Sequence, residues 1–279
     1  MDNIINDFIK KALTEDVGNG DITSIACIDP LSTGTAELIS KENCVIAGIN
    51  IAAQIVEFYD RNLVFNDFKK DGDNIKKNDI IFTISGNTHS ILAIERLILN
   101  CMQRMSGIAT KTDQFINEIK DLNTKILDTR KTCPSIRFLD KQAVEIGGAQ
   151  NHRYGLYDMI MIKDNHIDFS GGIKNAIHNC QNHIKKTRNN IKIIIEARNL
   201  TELKEIIKIG GVNRILLDNF SINQTHHAVK LIDKKYPIES SGNIQLNNVR
   251  KYALCGVDYI SIGSLTHSIK SIDLSMRSI

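Results

Sequence analysis

Six short apolar runs in the second half of the chain limit its possible folds more than any other feature. "KILDTRK", "MIMIKDNH", "IKIIIEAR", "NRILLDNF", "YPIESSGN" and "DYISIGS" each pass from a strand-like stretch to a polar residue and then to helix-like sequence. Representative polar residues at their ends, Asp128, Lys163, Glu196, Asp218, Ser240 and Ser261, lie 35, 33, 22, 22 and 21 residues apart. A strand, a helix and two loops occupy that length, which predicts a run of βα units with parallel strands. Right-handed crossovers place all the strand C-termini on one face. Closure gives a barrel, and that face then holds the active site. The 172 residues after Gly107 fall short of the ~250 of a typical eight-stranded barrel, so an incomplete barrel is expected.

The first half reads differently. "TAELISK" (35–41), "CVIAG" (44–48), "LVFNDF" (63–68) and "IIFTIS" (80–85) predict short strands, with a helix over 49–59. "HSILAIERLILNCMQRMSG" predicts a long helix with Ile91, Ile94, Leu97, Ile98 and Cys101 on one stripe, and Gly107 as its end or hinge. Asp71-Gly72-Asp73 lacks the later acids of a calcium loop and reads as a turn. The expected class is α/β, with a small α+β domain over 1–106 and an incomplete parallel α/β barrel over 107–279.

Composition narrows the function. A formal net charge of +3, with lysine pairs only at isolated positions, offers no patch for nucleic acid. No apolar run approaches membrane-spanning length. The opening "MDNIINDFIKKALTED" places Ile4, Ile5, Phe8, Ile9, Ala12 and Leu13 at helical spacing, an amphipathic helix rather than a signal peptide. Six scattered cysteines show neither metal-ligand nor redox spacing, which fits a reducing cytoplasm.

On a barrel, Arg130, Lys131 and Lys163 would converge with Glu196 and Asp218 at one mouth. Between the first two units, "GGAQNHRYGLYD" reads as a helix end at Gly147-Gly148 followed by His152-Arg153 on a turn. Arg153 adds an anion contact; His152 suits a structural hydrogen bond or a ligand contact equally. "SSGN" (240–243) and "SIGS" (261–264) are small-residue turns on the last two strands, where backbone N–H groups can cradle a phosphate.

Together with "EDVGNGDIT" (15–23), "ERLILN" (95–100), "SGIAT" (106–110), "DTRKT" (128–132), "IKDNHI" (162–167), "LLDNF" (216–220) and "DYISIGSLTHS" (258–268), the chain resembles quinolinate phosphoribosyltransferase, also called nicotinate-nucleotide pyrophosphorylase (carboxylating). The resemblance runs in order through nearly the whole sequence. It implies a homodimer, or an assembly of dimers, with active sites shared between subunits. The implied reaction joins quinolinate to phosphoribosyl pyrophosphate, releasing pyrophosphate and carbon dioxide and giving nicotinate mononucleotide for NAD synthesis.

By the same resemblance, Arg130, Arg153 and Lys163 face the dicarboxylate, with Lys131 and His152 beside them, and Arg96 is donated across the dimer. Glu196 and Asp218 match acids near the ribose hydroxyls and a Mg2+ ion, bound directly or through water. Thr129, Ser240, Ser241, Gly242, Ser261, Ile262 and Gly263 complete the binding set, with Lys131, Lys163, Glu196 and Asp218 as the catalytic group. Charge-assisted bonds from arginine suit two adjacent carboxylates, and two acids without a histidine cluster suit magnesium. Three positions depart from the family's pattern: Gln150, Arg198 and Asn243. Arg198 would alter the metal environment if it pointed inward with Glu196. Other readings are an aldolase-like lyase using Lys163 as a Schiff base, a non-catalytic nucleotide binder and a related pyridine phosphoribosyltransferase.

Overall fold

The computed structural model describes residues 2–188 and 190–279. Its strands are β1 Thr33–Ser40, β2 Cys44–Val45, β3 Val64–Asp67, β4 Asn74–Ile75, β5 Ile80–Asn87, β6 Lys125–Leu127, β7 Ile160–Ile162, β8 Ile193–Ala197, β9 Arg214–Asp218, β10 Ile238–Ser241, β11 Tyr259–Ser261 and β12 Leu274–Ser278. Two compact units are interleaved along the chain: residues 1–113, 132–148 and 266–279 form one, and 114–131 with 149–265 the other.

The second unit is the incomplete parallel barrel. Its sheet has the order β6-β11-β10-β9-β8-β7 with every pair parallel. The consecutive strands β6 and β7 therefore lie at opposite edges, and the sheet does not close between them. All six strands fall on the six apolar runs. Their residues read as unbroken hydrophobic stretches because such strands bury both faces; every residue of β8 is buried. Helices return the chain between strands and begin on recognisable caps. Asn199 accepts the Thr201 and Glu202 N–H groups ahead of Leu200–Ile209, and Ser221 forms a capping box with Gln224 ahead of Ile222–Ile232.

The first unit holds an antiparallel sheet of order β12-β1-β5-β3 and a small β2-β4 pair. The helix Ile49–Tyr59 has the expected bounds. Asp71 lies on a turn, and its carboxylate accepts from the N–H groups of Gly48, Ile49 and Asn50, capping that helix from a distance. Arg104 forms a bidentate pair with Asp140 at 2.7 and 2.8 Å, and the Asp140 carboxylate is fully buried. Three elements escape the sequence reading: the helix Ile22–Cys27, β4 and β12.

Gly107 is neither an end nor a hinge, because one helix runs unbroken from Thr88 to Ile119. Glycine stands there for another reason. A Cβ at 107 would lie 2.3 Å from the Lys270 carbonyl oxygen, a backbone atom that cannot step aside like a side chain. Gly107→Ala is therefore expected to lower stability by about 1–3 kcal/mol, the usual cost of overpacking. Urea unfolding checks this, and an unchanged midpoint would contradict it.

Candidate active site

Strand register decides which polar groups meet. Glu196 on β8 pairs with Leu216, Leu216 with Glu239, and Glu239 with Tyr259. Two residues further along, Asp218 pairs with Ser241 and Ser241 with Ser261. Residues two apart share a face, so Glu196, Asp218, Glu239, Ser241 and Ser261 all face one side. Ser240 has the opposite parity. It pairs with Leu217 and Ile260 in the row between, it is buried, and its hydroxyl has no hydrogen-bond partner.

Lys163, the first residue after β7, forms an ion pair with Glu196. Glu196 is buried, and burial pushes its carboxyl above the usual carboxylate range; Lys163 opposes the shift, while Asp218 and Asp164 add to it. Across the same end, burial lowers the affinity of the Arg153 guanidinium for its proton. The nearby Arg130 charge acts in the same direction, and Asp158 and Glu196 act against it. Arg130, Arg153, Lys163, Glu196 and Asp218 thus form one charged neighbourhood. Lys131 is exposed, with its N–H on the Thr129 hydroxyl at 3.1 Å. Arg96 is exposed on the helix Thr88–Ile119, in the first unit.

The acid that ends "KILD" has a structural task. Asp128 is fully buried and accepts the His152 N–H at 2.7 Å. Gln150 acts through its backbone, bonded to Ile126 and Asp128 beside β6. His152 and Arg153 are both buried, and Arg153 Nη1 donates to the Met159 carbonyl at 3.2 Å. Glu239 and Arg214, bonded at 2.9 Å, were not singled out by the sequence reading. An acid within "YPIESS" was the only available signal for Glu239.

Of the two small-residue turns, only "SSGN" departs from the expectation of leading straight into a helix. Gly242 has a φ of +97°, and a Cβ there would fall 2.2 Å from Asn219 Oδ1, so only glycine fits. Asn219 and Asn243 are also left-handed, at φ 55° and 53°, a conformation asparagine tolerates. Asn243 donates to Asn219 at 3.2 Å, and Asn219 Nδ2 donates to Asp218 at 3.0 Å, which orients the carboxylate. The next helix starts only at Val249, since Gln245, Asn248 and Asn243 form an intervening turn. "SIGS" does lead into a one-turn helix, Ser264–His267. The Ile262 N–H is committed to the Leu127 carbonyl. The Arg198 guanidinium is held by Asp168 and Glu202.

Family models for the N-terminal and C-terminal domains of quinolinate phosphoribosyl transferase match residues 21–106 and 108–277. The chain belongs to the quinolinate phosphoribosyltransferase family. It is 40% identical to the chloroplastic nicotinate-nucleotide pyrophosphorylase [carboxylating] of Arabidopsis thaliana, covering 96% of this chain and 81% of that one. It is 40% identical to a probable nicotinate-nucleotide pyrophosphorylase [carboxylating] of Bacillus subtilis, covering 94% and 89%. The solved nicotinate-nucleotide pyrophosphorylase of Francisella tularensis superposes with a TM-score of 0.93 at 38% identity, over 100% of this chain and 97% of that one.

The Lys163–Glu196 pair of this quinolinate phosphoribosyltransferase family member yields a signed prediction. Burial already raises the Glu196 carboxyl, and Lys163 is the first group opposing it. Lys163→Met should therefore move the Glu196 pKa further up, so that the acid keeps its proton to higher pH. Carbon-13 NMR titration of labelled glutamate checks the sign; a downward movement would contradict it.

Proposed function

We propose that the chain transfers the phosphoribosyl group of phosphoribosyl pyrophosphate to the ring nitrogen of quinolinate, with loss of carbon dioxide, giving nicotinate mononucleotide for NAD synthesis. One observation carries the reading: at one end of the parallel strands, a cationic group (Arg130, Arg153, Lys163) adjoins an acidic one (Glu196, Asp218), in a chain of this family. Arg130, Arg153 and Lys163 bind the two quinolinate carboxylates, with Lys131 beside them and His152 adjoining Arg153. Glu196 and Asp218 face the ribose. The turns Ser240–Gly242 and Ser261–Gly263, with Thr129, receive the phosphates.

The chemistry is mainly positioning and charge compensation. As the bond between ribose C1 and the pyrophosphate oxygen breaks, its electron pair leaves with pyrophosphate and positive charge builds on the sugar. Glu196 and Asp218 stabilise that charge. The quinolinate nitrogen lone pair forms the new bond to C1, making the ring cationic. The cationic ring then accepts the electron pair of the adjacent carboxylate bond as carbon dioxide departs, and a proton replaces it on carbon.

Magnesium takes oxygen ligands and keeps its waters while bridging phosphates. No group of three or more His, Cys, Asp or Glu suited to a metal occurs among the described residues. A pair of carboxylates, Glu196 and Asp218, suits an ion held jointly with the donor's phosphates, directly or through water. When bound, it offsets charge on the departing pyrophosphate.

Residues 1–106 and 107–279 serve as the two functional segments, a division supported by family models that cover 21–106 and 108–277. The active assembly is a homodimer, or a set of dimers, in which Arg96 of one subunit serves the partner's barrel; an isologous interface delivers it reciprocally. A cytoplasmic location accords with six unbridged cysteines, and no helix among the described residues is long and apolar enough to cross a membrane.

The deciding assay is carbon dioxide release from quinolinate that requires both phosphoribosyl pyrophosphate and magnesium; its absence would refute the function. Arg130→Ala should weaken quinolinate binding by about 1.5–3 kcal/mol, the range for hydrogen bonds to charged groups, as read by calorimetry. Asp218→Asn should spare that binding while lowering turnover and raising the magnesium requirement. The opposite pattern would place the two residues on the wrong sides. Arg96→Ala and Lys163→Ala should each be inactive alone, whereas exchanged mixed dimers should recover up to about half of the wild-type activity on symmetry grounds. No recovery after verified exchange would show that the sites are not shared.

A further inference from the structure

Both ring nitrogens of His152 are engaged by the protein. The Arg153 backbone N–H donates to Nδ1 at 2.7 Å. A backbone N–H can only donate, so Nδ1 carries no proton. The proton of the neutral ring then sits on Nε2, which donates to Glu239 Oε2 at 3.3 Å. Glu239 is fully buried, and the same oxygen accepts from Arg214 Nη1 at 2.9 Å. The Arg214 guanidinium lies over the Tyr259 ring, 3.8 Å from its centroid. Asp128 holds the other end of the turn by accepting the His152 N–H.

We propose that Glu239 is a positioning residue: it holds His152 as the Nε2–H tautomer, and His152 fixes the Arg153 backbone instead of presenting charge to a substrate. The inference deepens the reading above, resting on Arg153 as a contact for the quinolinate dicarboxylate. Selectivity for that dicarboxylate then depends on a buried relay from Arg214 through Glu239 and His152 to Arg153. Protonating Nδ1 would set two N–H groups against each other at 2.7 Å. The charged groups about the imidazole are Glu239, Asp128 and Arg153, with Arg214 beyond Glu239.

Nitrogen-15 NMR of the histidine-labelled full chain tests the tautomer without reference to turnover. Nδ1 of His152 should resonate as an unprotonated ring nitrogen and Nε2 as a protonated one; a protonated Nδ1 overturns the proposal. Kinetics test the relay. His152→Phe, which accepts nothing from Arg153, should raise the quinolinate KM on the order of tenfold and leave the KM for phosphoribosyl pyrophosphate within about twofold. His152→Asn, whose Oδ1 can take the Arg153 N–H, should recover most of the quinolinate KM. Glu239→Gln should raise the quinolinate KM selectively; an unchanged value overturns its role. If that variant does not fold, the His152 pair and the parent spectrum still decide. A quinolinate affinity that falls as pH rises through the histidine range in the parent, but not in His152→Asn, would show a charged ligand and overturn the proposal. Failure of the parent to release carbon dioxide would refute the proposed function, while the tautomer result would still stand or fall separately.

Discussion

In a parallel sheet, the height and facing of each residue are tied to those of its hydrogen-bonded neighbour, and here the ladder β8-β9-β10-β11 makes that decision for Glu196, Asp218, Glu239, Ser241 and Ser261. Glu196 and Glu239 occupy one row through Leu216; Asp218, Ser241 and Ser261 occupy the next row with the same parity. A slip of one residue in β9 would turn Asp218 away from Glu196 and replace it with Leu217. The buried Ile215 and Leu217 on the alternate parity resist such a slip. Apolar packing on one face therefore holds the charged constellation on the other.

The six barrel strands were legible because buried parallel strands are continuous apolar runs, and their ends were legible because charge follows abruptly. What register added was facing. Ser240 and Ser241 are adjacent and chemically identical, yet only Ser241 has the parity of Asp218. Gly107 misled because glycine stops a helix when the chain must turn, but also stands within one when another backbone approaches closely, as Lys270 does. Nothing within a few residues of Gly107 distinguishes these cases. The family resemblance was readable from motifs, whereas the buried bonds of Asp128 and Glu239 required the fold.

Charge buried within the sheet is costly unless it is fully paired. Asp140 meets this condition through Arg104 and the Cys133 N–H, whereas Glu239 is paired with Arg214 and His152 through Oε2 alone and its buried Oε1 has no hydrogen-bond partner. Each fixes the geometry of a neighbouring loop: Asp140 holds the segment after Lys131, and Glu239 holds the turn at His152-Arg153. Replacing either acid would leave a partly buried arginine without its counter-charge.

The place of β12 has a consequence for synthesis. Ser40 on β1 pairs with Leu274, 234 residues later. At about 5–20 residues per second, the ribosome needs roughly ten to fifty seconds to cover that distance. Throughout that interval one side of β1 offers unpaired N–H and C=O groups, while every strand of the barrel is already being made. A nascent chain is thus exposed for longest at its oldest sheet, where pairing with another copy competes with pairing to its own last strand. Slow translation of the barrel would lengthen that exposure without changing the stability of the finished fold.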